Sequence, residues 1–283
     1  QLEELDCSDN LMLEELKLSP LIPNNLRLNI TDNPNLKEIK NKPKDATNID
    51  TEYLYFNFQE WLDEEYPNKE KAEVIEIKSI GFIDESELEI KDFPNLKEIK
   101  KDRENVSQVT KVTISNCPEL KEIDFSSNKL VEINLTNNKN LTNLSCSDNL
   151  LNNLDLSQNL NLEYLDIMDN NFEKQDLSFL SNLVNLKTLL VGNSSVTSLY
   201  LKKGEVIKEK IQKGLPHNRF YGSLEFLQGL SKLEYLGISY TDIDKGLEFL
   251  PNSLETCNVG SIPETKVIKL DEELFLYRSN LKV

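Results

Sequence analysis

Nucleophilic catalysis by serine or cysteine needs a general base beside the nucleophile. The chain offers one histidine for that task, His217, in the stretch G-L-P-H-N. No G-x-S-x-G accompanies it and no cysteine is near it in sequence, so it reads as an inert loop histidine. Carboxylates are abundant, and two of them at the right separation could cleave a glycosidic bond. Glu122, Asp124, Glu163 and Asp166, however, recur at solvent-facing positions of a repeat, and an acidic outer face explains them more simply. Asp148 and Asp169 recur beside asparagines, but without the glycine-rich nonapeptide of a calcium turn. H-E-x-x-H, G-x-x-x-x-G-K-S/T and G-x-G-x-x-G are all absent. The expectation is a chain that is not an enzyme, with no cofactor and no metal.

Three further sets of residues bear on setting and partner. Cys7, Cys117, Cys146 and Cys257 lie far apart with no C-x-x-C pair, which suggests neither a zinc site nor a disulfide scaffold. Three of them fall on inward-facing repeat positions, and buried free thiols lean towards a reducing, cytoplasmic compartment; secretion is the alternative. Six N-x-S/T triplets, at Asn29, Asn105, Asn134, Asn140, Asn143 and Asn193, are what an asparagine-rich repeat generates by chance. The net charge of −17 disfavours phosphate backbones and anionic membranes. A basic protein or peptide is the more natural partner, although acidity of this size also simply keeps a protein soluble. No run of about 18 apolar residues is present, so no membrane span is expected.

The elements that must position these residues come from internal repetition. LKEIDFSSN (120–128), LVEINLTNN (130–138), LTNLSCSDN (141–149), LNNLDLSQN (151–159) and LEYLDIMDN (162–170) all fit L-x-x-L-x-L-x-x-N. Their spacing alternates, so the unit is a nested pair of similar halves. The L-x-L portion has period 2, as a strand with one buried face requires. The asparagine ends the strand, and its side chain can satisfy buried backbone groups of the turn. Asn128, Asn149 and Asn170 should stack as one ladder, and Asn138 and Asn159 as a second.

The segment around 144–157, LSCSDNLLNNLDLS, resembles leucine-rich repeats of the short, nested type sometimes called IRREKO. The resemblance is specific across about 110–193. It implies an α/β leucine-rich-repeat solenoid: a right-handed arc or horseshoe with a parallel sheet on the concave side and strands partly on the convex side. It implies binding rather than a reaction. Outlying repeats include LEELDCSDN (2–10), LKTLLVGN (186–193) and LEYLGISYTD (233–242). A second signature recurs as N-P-N-L-K-E-I (33–39), F-P-N-L-K-E-I (93–99) and C-P-E-L-K-E-I (117–123), with Asn33, Phe93 and Cys117 at the strand-ending position. From 221 the repeats resemble longer ones whose convex side holds short helical turns. The first hundred residues leave open which half-repeats are concave.

One repeat domain, 1–283, is expected, with insertions at about 41–73 and 200–222. The first holds Trp61 and reads as a short helix packed on the solenoid, or as a binding element; Asp63, Glu64 and Glu65 would be its solvated face. The second contains GEVIKEKIQKG (204–214), a helix with Val206, Ile207 and Ile211 on one side and a local excess of lysine. QLEELDCSDN already sits inside a repeat, so the chain reads as a fragment of a longer protein.

On the concave sheet the third, fifth and seventh motif positions point away from the core. They place Tyr164, Met168, Leu190 and Tyr235 towards solvent, flanked by Asp124 and Asp166. Exposed aromatic and apolar residues in a row suggest a contact hot spot, and the aspartates could hold a basic side chain. The alternative is that the second insertion folds over them. The expectation is therefore a protein- or peptide-binding scaffold, or else a secreted recognition protein for a glycan or receptor.

Overall fold

Leu144 stands between Ile123 and Leu165 in a parallel sheet, as adjacent turns of one coil require. The computed structural model describes residues 4–7, 15–17, 27–29, 38–40, 62–63, 66–77, 86–101, 109–194, 214, 216–260, 267, 270 and 274. Its long sheet has eight parallel strands in chain order: Val74–Ile77, Glu98–Lys101, Glu122–Asp124, Asn143–Ser145, Tyr164–Asp166, Thr188–Leu190, Tyr235–Gly237 and Thr256–Asn258. From Glu98 on, every central or inward residue of these strands, Ile99, Ile123, Leu144, Leu165, Leu189, Leu236 and Cys257, is buried. A second parallel sheet, Ser86–Lys91, Val109–Ser115 and Glu132–Asn134, forms the opposite face.

The nested sequence explains both faces. In one coil Leu141, Leu144, Cys146 and Asn149 point inward from the first half, and Leu151, Leu154, Leu156 and Asn159 from the second. Each such leucine contributes about 1.5–3 kcal/mol by leaving water. Strands at the start of the chain follow the same alternation: Glu4–Asp6 pairs with Arg27–Asn29, and Glu15–Lys17 with Glu38–Lys40. Two separate two-stranded sheets interleaved in sequence are what half-repeats on two faces produce.

The three-stranded opposite sheet ends at Glu132–Asn134; among the described residues 3-10 turns follow at Ser178–Leu180, Leu224–Gly229 and Leu247–Phe249, with only a short parallel pair, Tyr221–Ser223 and Asp242–Lys245, beside them. The cause is a change of period. Ile133-x-Leu135 alternates as a strand does. Leu177-x-x-Leu180, Leu224-x-x-Leu227 and Leu247-x-x-Leu250 put buried leucines three apart, the spacing that eclipses in a 3-10 helix. The switch thus begins before residue 221, where the style of the repeats changes. Helix among the described residues is otherwise minimal, so the α part of the expected α/β class reduces to these turns.

Both asparagine ladders are buried, but they differ in what they do. Asn149 Nδ2 donates to Phe125 O (2.9 Å) and Cys146 O (3.0 Å), while its Oδ1 accepts from Leu130 N (2.9 Å). Asn170 repeats the pattern on Cys146 O, Ile167 O and Leu151 N. In the second ladder Asn159 Nδ2 reaches Leu135 O and Asn138 O, yet both polar side-chain atoms of the buried Asn138 lack a protein partner. The coil before Asn138 carries Cys117 at the equivalent place, and Cys117 bonds back to Ile90 O and Ser115 O. A third, exposed ladder runs along the rim: Asn95 donates to Glu70 O, Asn140 to Pro118 O, Asn161 to Lys139 O and Asn185 to Leu160 O.

Leu189 pairs directly with Leu236, although the chain between them is more than twice the Leu144-to-Leu165 step. The long sheet therefore passes from Leu189 to Leu236 with no strand of the intervening stretch between them. Regular coil has resumed by Asn218: Phe220 is fully buried against Phe172 (5.2 Å between centroids) and Phe179 (6.3 Å), and Tyr221–Ser223 pairs with Asp242–Lys245. The helix expected at 204–214 lies outside the described residues, apart from Gly214. In the first insertion, Leu62 is buried, Tyr66 meets Phe93 edge-on at 6.4 Å, and Lys69 lies 5.3 Å over the Phe93 ring. Trp61, Glu64 and Glu65 lie outside the described residues; Asp63 is exposed and pairs with Lys69 at 3.6 Å.

Candidate functional site: the outer face of the long sheet

Register places the expected contact residues in two adjoining rows. Glu122, Asn143, Tyr164, Thr188, Tyr235 and Thr256 follow one another across the sheet, and so do Asp124, Ser145, Asp166, Leu190, Gly237 and Asn258. Strands about 4.8 Å apart put Tyr164 and Tyr235, two coils distant, roughly 10 Å from each other. Asp124 and Asp166 have the same separation. Met168 follows Asp166 on the same coil, and its N–H donates to Asp166 Oδ1 at 3.1 Å.

The aromatic and apolar members are less open than period-2 reasoning suggests. Tyr164, Met168, Leu190 and Tyr235 are all half-buried. Leu190 leans along the sheet over Gly237, where a Cβ would come within 2.7 Å of Leu190 Cδ2. The absence of a side chain at Gly237 is what lets the leucine lie flat. The result is a shallow floor, Leu190 on Gly237, bordered by two phenol rings and one carboxylate.

That carboxylate is unusual. Burial pushes the Asp166 pKa up to about 6, with the nearby Asp169 and Asp124 charges adding to the shift and hydrogen bonds from Met168 N and Ser147 opposing it. Burial, then Asp166 and Asp124, raises Tyr164 to about 12. The thiol of Cys146, fully buried beneath the same strands, is driven up by burial first and by Asp124 and Asp166 next. Carboxylates elsewhere have cations at hand: Glu163 with Lys187 (2.6 Å), Glu73 with Lys97 (2.9 Å), and Glu87 and Glu132 either side of Lys111 (4.0 and 3.7 Å). Among the described residues no lysine or arginine comes within 4.0 Å of Asp124 or Asp166.

Asparagine 218 is the residue that sequence reasoning missed. LKTLLVGN is one residue shorter than the nine-residue motif, so Asn193 arrives a step early. Asn218, from within the stretch expected as the 200–222 insertion, fills the ladder instead, donating to Ile167 O (2.8 Å) and Val191 O (3.0 Å). Asn193 is buried, but it clamps Asn218 from both sides through Asn218 N and Asn218 O. The short motif was the available signal. In the next coil Thr241 substitutes, its hydroxyl donating to Ile238 O at 2.8 Å.

His217, half-buried, adjoins this clamp and is remote in sequence from the contact rows. No group of three or more His, Cys, Asp or Glu side chains among the described residues could hold a metal ion. No helix among them is long and apolar enough to cross a membrane. A separate open hollow of about 720 Å³, lined by Asp176, Tyr221, Gly222, Ser223, Gln228 and Lys245, lies against the 3-10 turns and contains none of the expected contact residues.

Parallel strands in stacked turns, inward leucines at L-x-x-L-x-L-x-x-N spacing and asparagine ladders define the class: this is a leucine-rich-repeat β-solenoid. No protein-family model and no curated protein matches the sequence. Among solved structures, a leucine-rich-repeat protein of Leptospira interrogans is 15% identical, with 99% of this chain and 95% of that one covered and a TM-score of 0.43. The leucine-rich-repeat ectodomain of a plant membrane receptor kinase from Arabidopsis thaliana, in complex with Casparian strip integrity factor 2, is 16% identical with a TM-score of 0.42. There 92% of this chain matches 33% of the receptor chain.

Proposed function

We propose that the protein is a non-catalytic binding scaffold whose long sheet receives a segment of another protein or a peptide. One observation carries this reading: register gathers Tyr164, Leu190 and Tyr235 around Asp166, a half-buried carboxylate with no cationic side chain within reach among the described residues. Aromatic and aliphatic surface supplies contact area at small entropic cost. A desolvated carboxylate favours a lysine or arginine from the partner, because charge-assisted hydrogen bonds replace the water it has lost. Asp124 offers a second anchor two coils away. The partner that fits is thus an extended, basic segment lying across the strands.

The test is selection of displayed random peptides on the wild-type chain, followed by binding to the Tyr164→Ser/Leu190→Ser double variant. Enriched peptides should be rich in Lys or Arg and lose at least tenfold in affinity, while the thermal midpoint stays within a few degrees. Peptides that bind the double variant equally well would place the contact surface elsewhere. A collapse of the midpoint would mean that these two side chains are structural.

A further inference from the structure

Of the six N-x-S/T triplets, the fold treats four very differently, and we propose that Asn134, in Asn134-Leu135-Thr136, is a site for an N-linked glycan. Asn193 is fully buried, with Oδ1 accepting from Asn218 N and both Nδ2 hydrogens used, on Asn218 O (3.0 Å) and Tyr240 O (3.1 Å). Asn143 is half-buried between Glu122 and Tyr164 in the long sheet, where a sugar would cover the contact rows. Asn140 is exposed, but its Nδ2 is committed to Pro118 O at 2.8 Å in the rim ladder. Asn29 and Asn105 have side chains outside the described residues.

Asn134 differs from all of these. It ends the last strand of the sheet opposite the contact face, and its side chain is exposed between the exposed Glu132 and Asn137. Its Oδ1 accepts twice from the motif's own third residue, from Thr136 N at 3.1 Å and Thr136 Oγ1 at 2.8 Å. No protein group among the described residues takes the Nδ2 hydrogens. The amide nitrogen that would carry a sugar therefore faces water, and the amide oxygen holds the turn.

The chemistry balances without a redox step. Nδ2 attacks C1 of a lipid-diphosphate-linked oligosaccharide, supplied together with a transferase. The C1–O bond to phosphate breaks, the lipid diphosphate leaves with the electron pair, and one Nδ2 proton passes to the enzyme's base. Donation from the Thr136 hydroxyl to Oδ1 polarises the amide and eases loss of that proton. The product keeps one N–H and both bonds to Oδ1, so the turn survives. A glycan on Asn193 would instead break a buried clamp. One on Asn134 projects from the face opposite the contact rows and leaves them open.

The experiment is secretion of the chain from a eukaryotic host. The folded fraction is then treated with the amidase that converts a glycosylated asparagine to aspartate, and occupancy is mapped by peptide mass at Asn134, Asn140, Asn143 and Asn193. Asn134 should be occupied and Asn143 and Asn193 bare. Asn134→Gln should remove the Asn134 glycan, with at most a small drop in thermal midpoint from the loosened turn, and Thr136→Ser should retain it at the wild-type midpoint. The unglycosylated, folded chain incubated with a purified oligosaccharyltransferase and lipid-linked donor reads the native state directly and should modify Asn134. A folded protein bare at Asn134 in both assays, a glycan at Asn140 in its place, or Asn143 or Asn193 occupied at an unchanged midpoint would overturn the proposal.

Discussion

Replacing Asn149 and Asn138 with alanine, one at a time, separates two ladders that look equivalent in sequence. Asn149 is fully buried, and its Oδ1 is the acceptor for Leu130 N. Removing it strands that N–H in the core. The carbonyls it serves fare better, because Phe125 O also receives Asn128 Nδ2 and Cys146 O also receives Asn170 Nδ2. One orphaned buried donor costs about 1–3 kcal/mol, and incomplete collapse of the vacated space adds about 1 kcal/mol, so Asn149→Ala should lose about 2–4 kcal/mol. Asn138 is buried too, but its amide makes no bond to protein, so Asn138→Ala strands nothing on the other side. Its loss should stay below about 1 kcal/mol, and Asn138→Leu should be neutral or stabilising, since an apolar group replaces an unsatisfied one. Urea titration followed by circular dichroism, with slopes compared to confirm similar exposure on unfolding, gives both numbers. Equal losses for the two alanine variants would refute the reasoning, because they would mean the ladder stabilises through shape rather than through the bonds counted above.

Three other outcomes follow from the geometry. The Asp166 carboxyl should titrate near 6 by NMR; because this lies above the ordinary carboxylate value of about 3.9, the folded state binds the extra proton and is stabilised as pH falls from about 6 to about 4. Asp166→Asn should flatten that window and raise stability at pH 7.5, while basic peptides should bind the wild type more weakly as pH drops through 6; a titration near 4 would remove both expectations. Gly192→Ala should destabilise by at least about 2 kcal/mol, since a Cβ there would lie 2.4 Å from Ser239 O and 2.5 Å from Ser239 N, whereas Gly229→Ala, with nothing nearer than 3.6 Å, should be tolerated; equal thermal midpoints would contradict the close approach. Cys117, Cys146 and Cys257, all buried and in no disulfide, should resist a thiol reagent in the native state and react on unfolding, with the half-buried Cys7 labelled first; prompt labelling of Cys146 would place it at the surface.

Much of this architecture was readable from the residues, and for a definite reason. A repeat fixes register: once Leu144 and Leu165 share a motif position, so do Tyr164, Thr188 and Tyr235, and the structure aligns all of them. What a motif does not encode is the neighbouring coil. The amide of Asn138 is idle where that of Asn159, one turn later at the same motif position, is bonded, and the flattened Leu190 depends on a glycine one turn later. Asn218 was hidden because it lies inside the stretch expected as an insertion, far along the chain from the motif it completes. The change from strand to 3-10 turn on the opposite face was written in the spacing of Leu177 and Leu180, ahead of the change in repeat style.

The detour between Leu189 and Leu236 gives the solenoid a place to vary. Closing a longer loop is inexpensive, roughly 0.6 kcal/mol for each doubling, and the sheet continues through Leu190 and Gly237 as if the extra chain were not there. Segments of other lengths and compositions can therefore be exchanged at that seam while the stacked coils keep their alignment. Because the extra stretch leaves the chain within a few residues of Leu190, such exchange would alter what flanks the contact rows without rebuilding the frame.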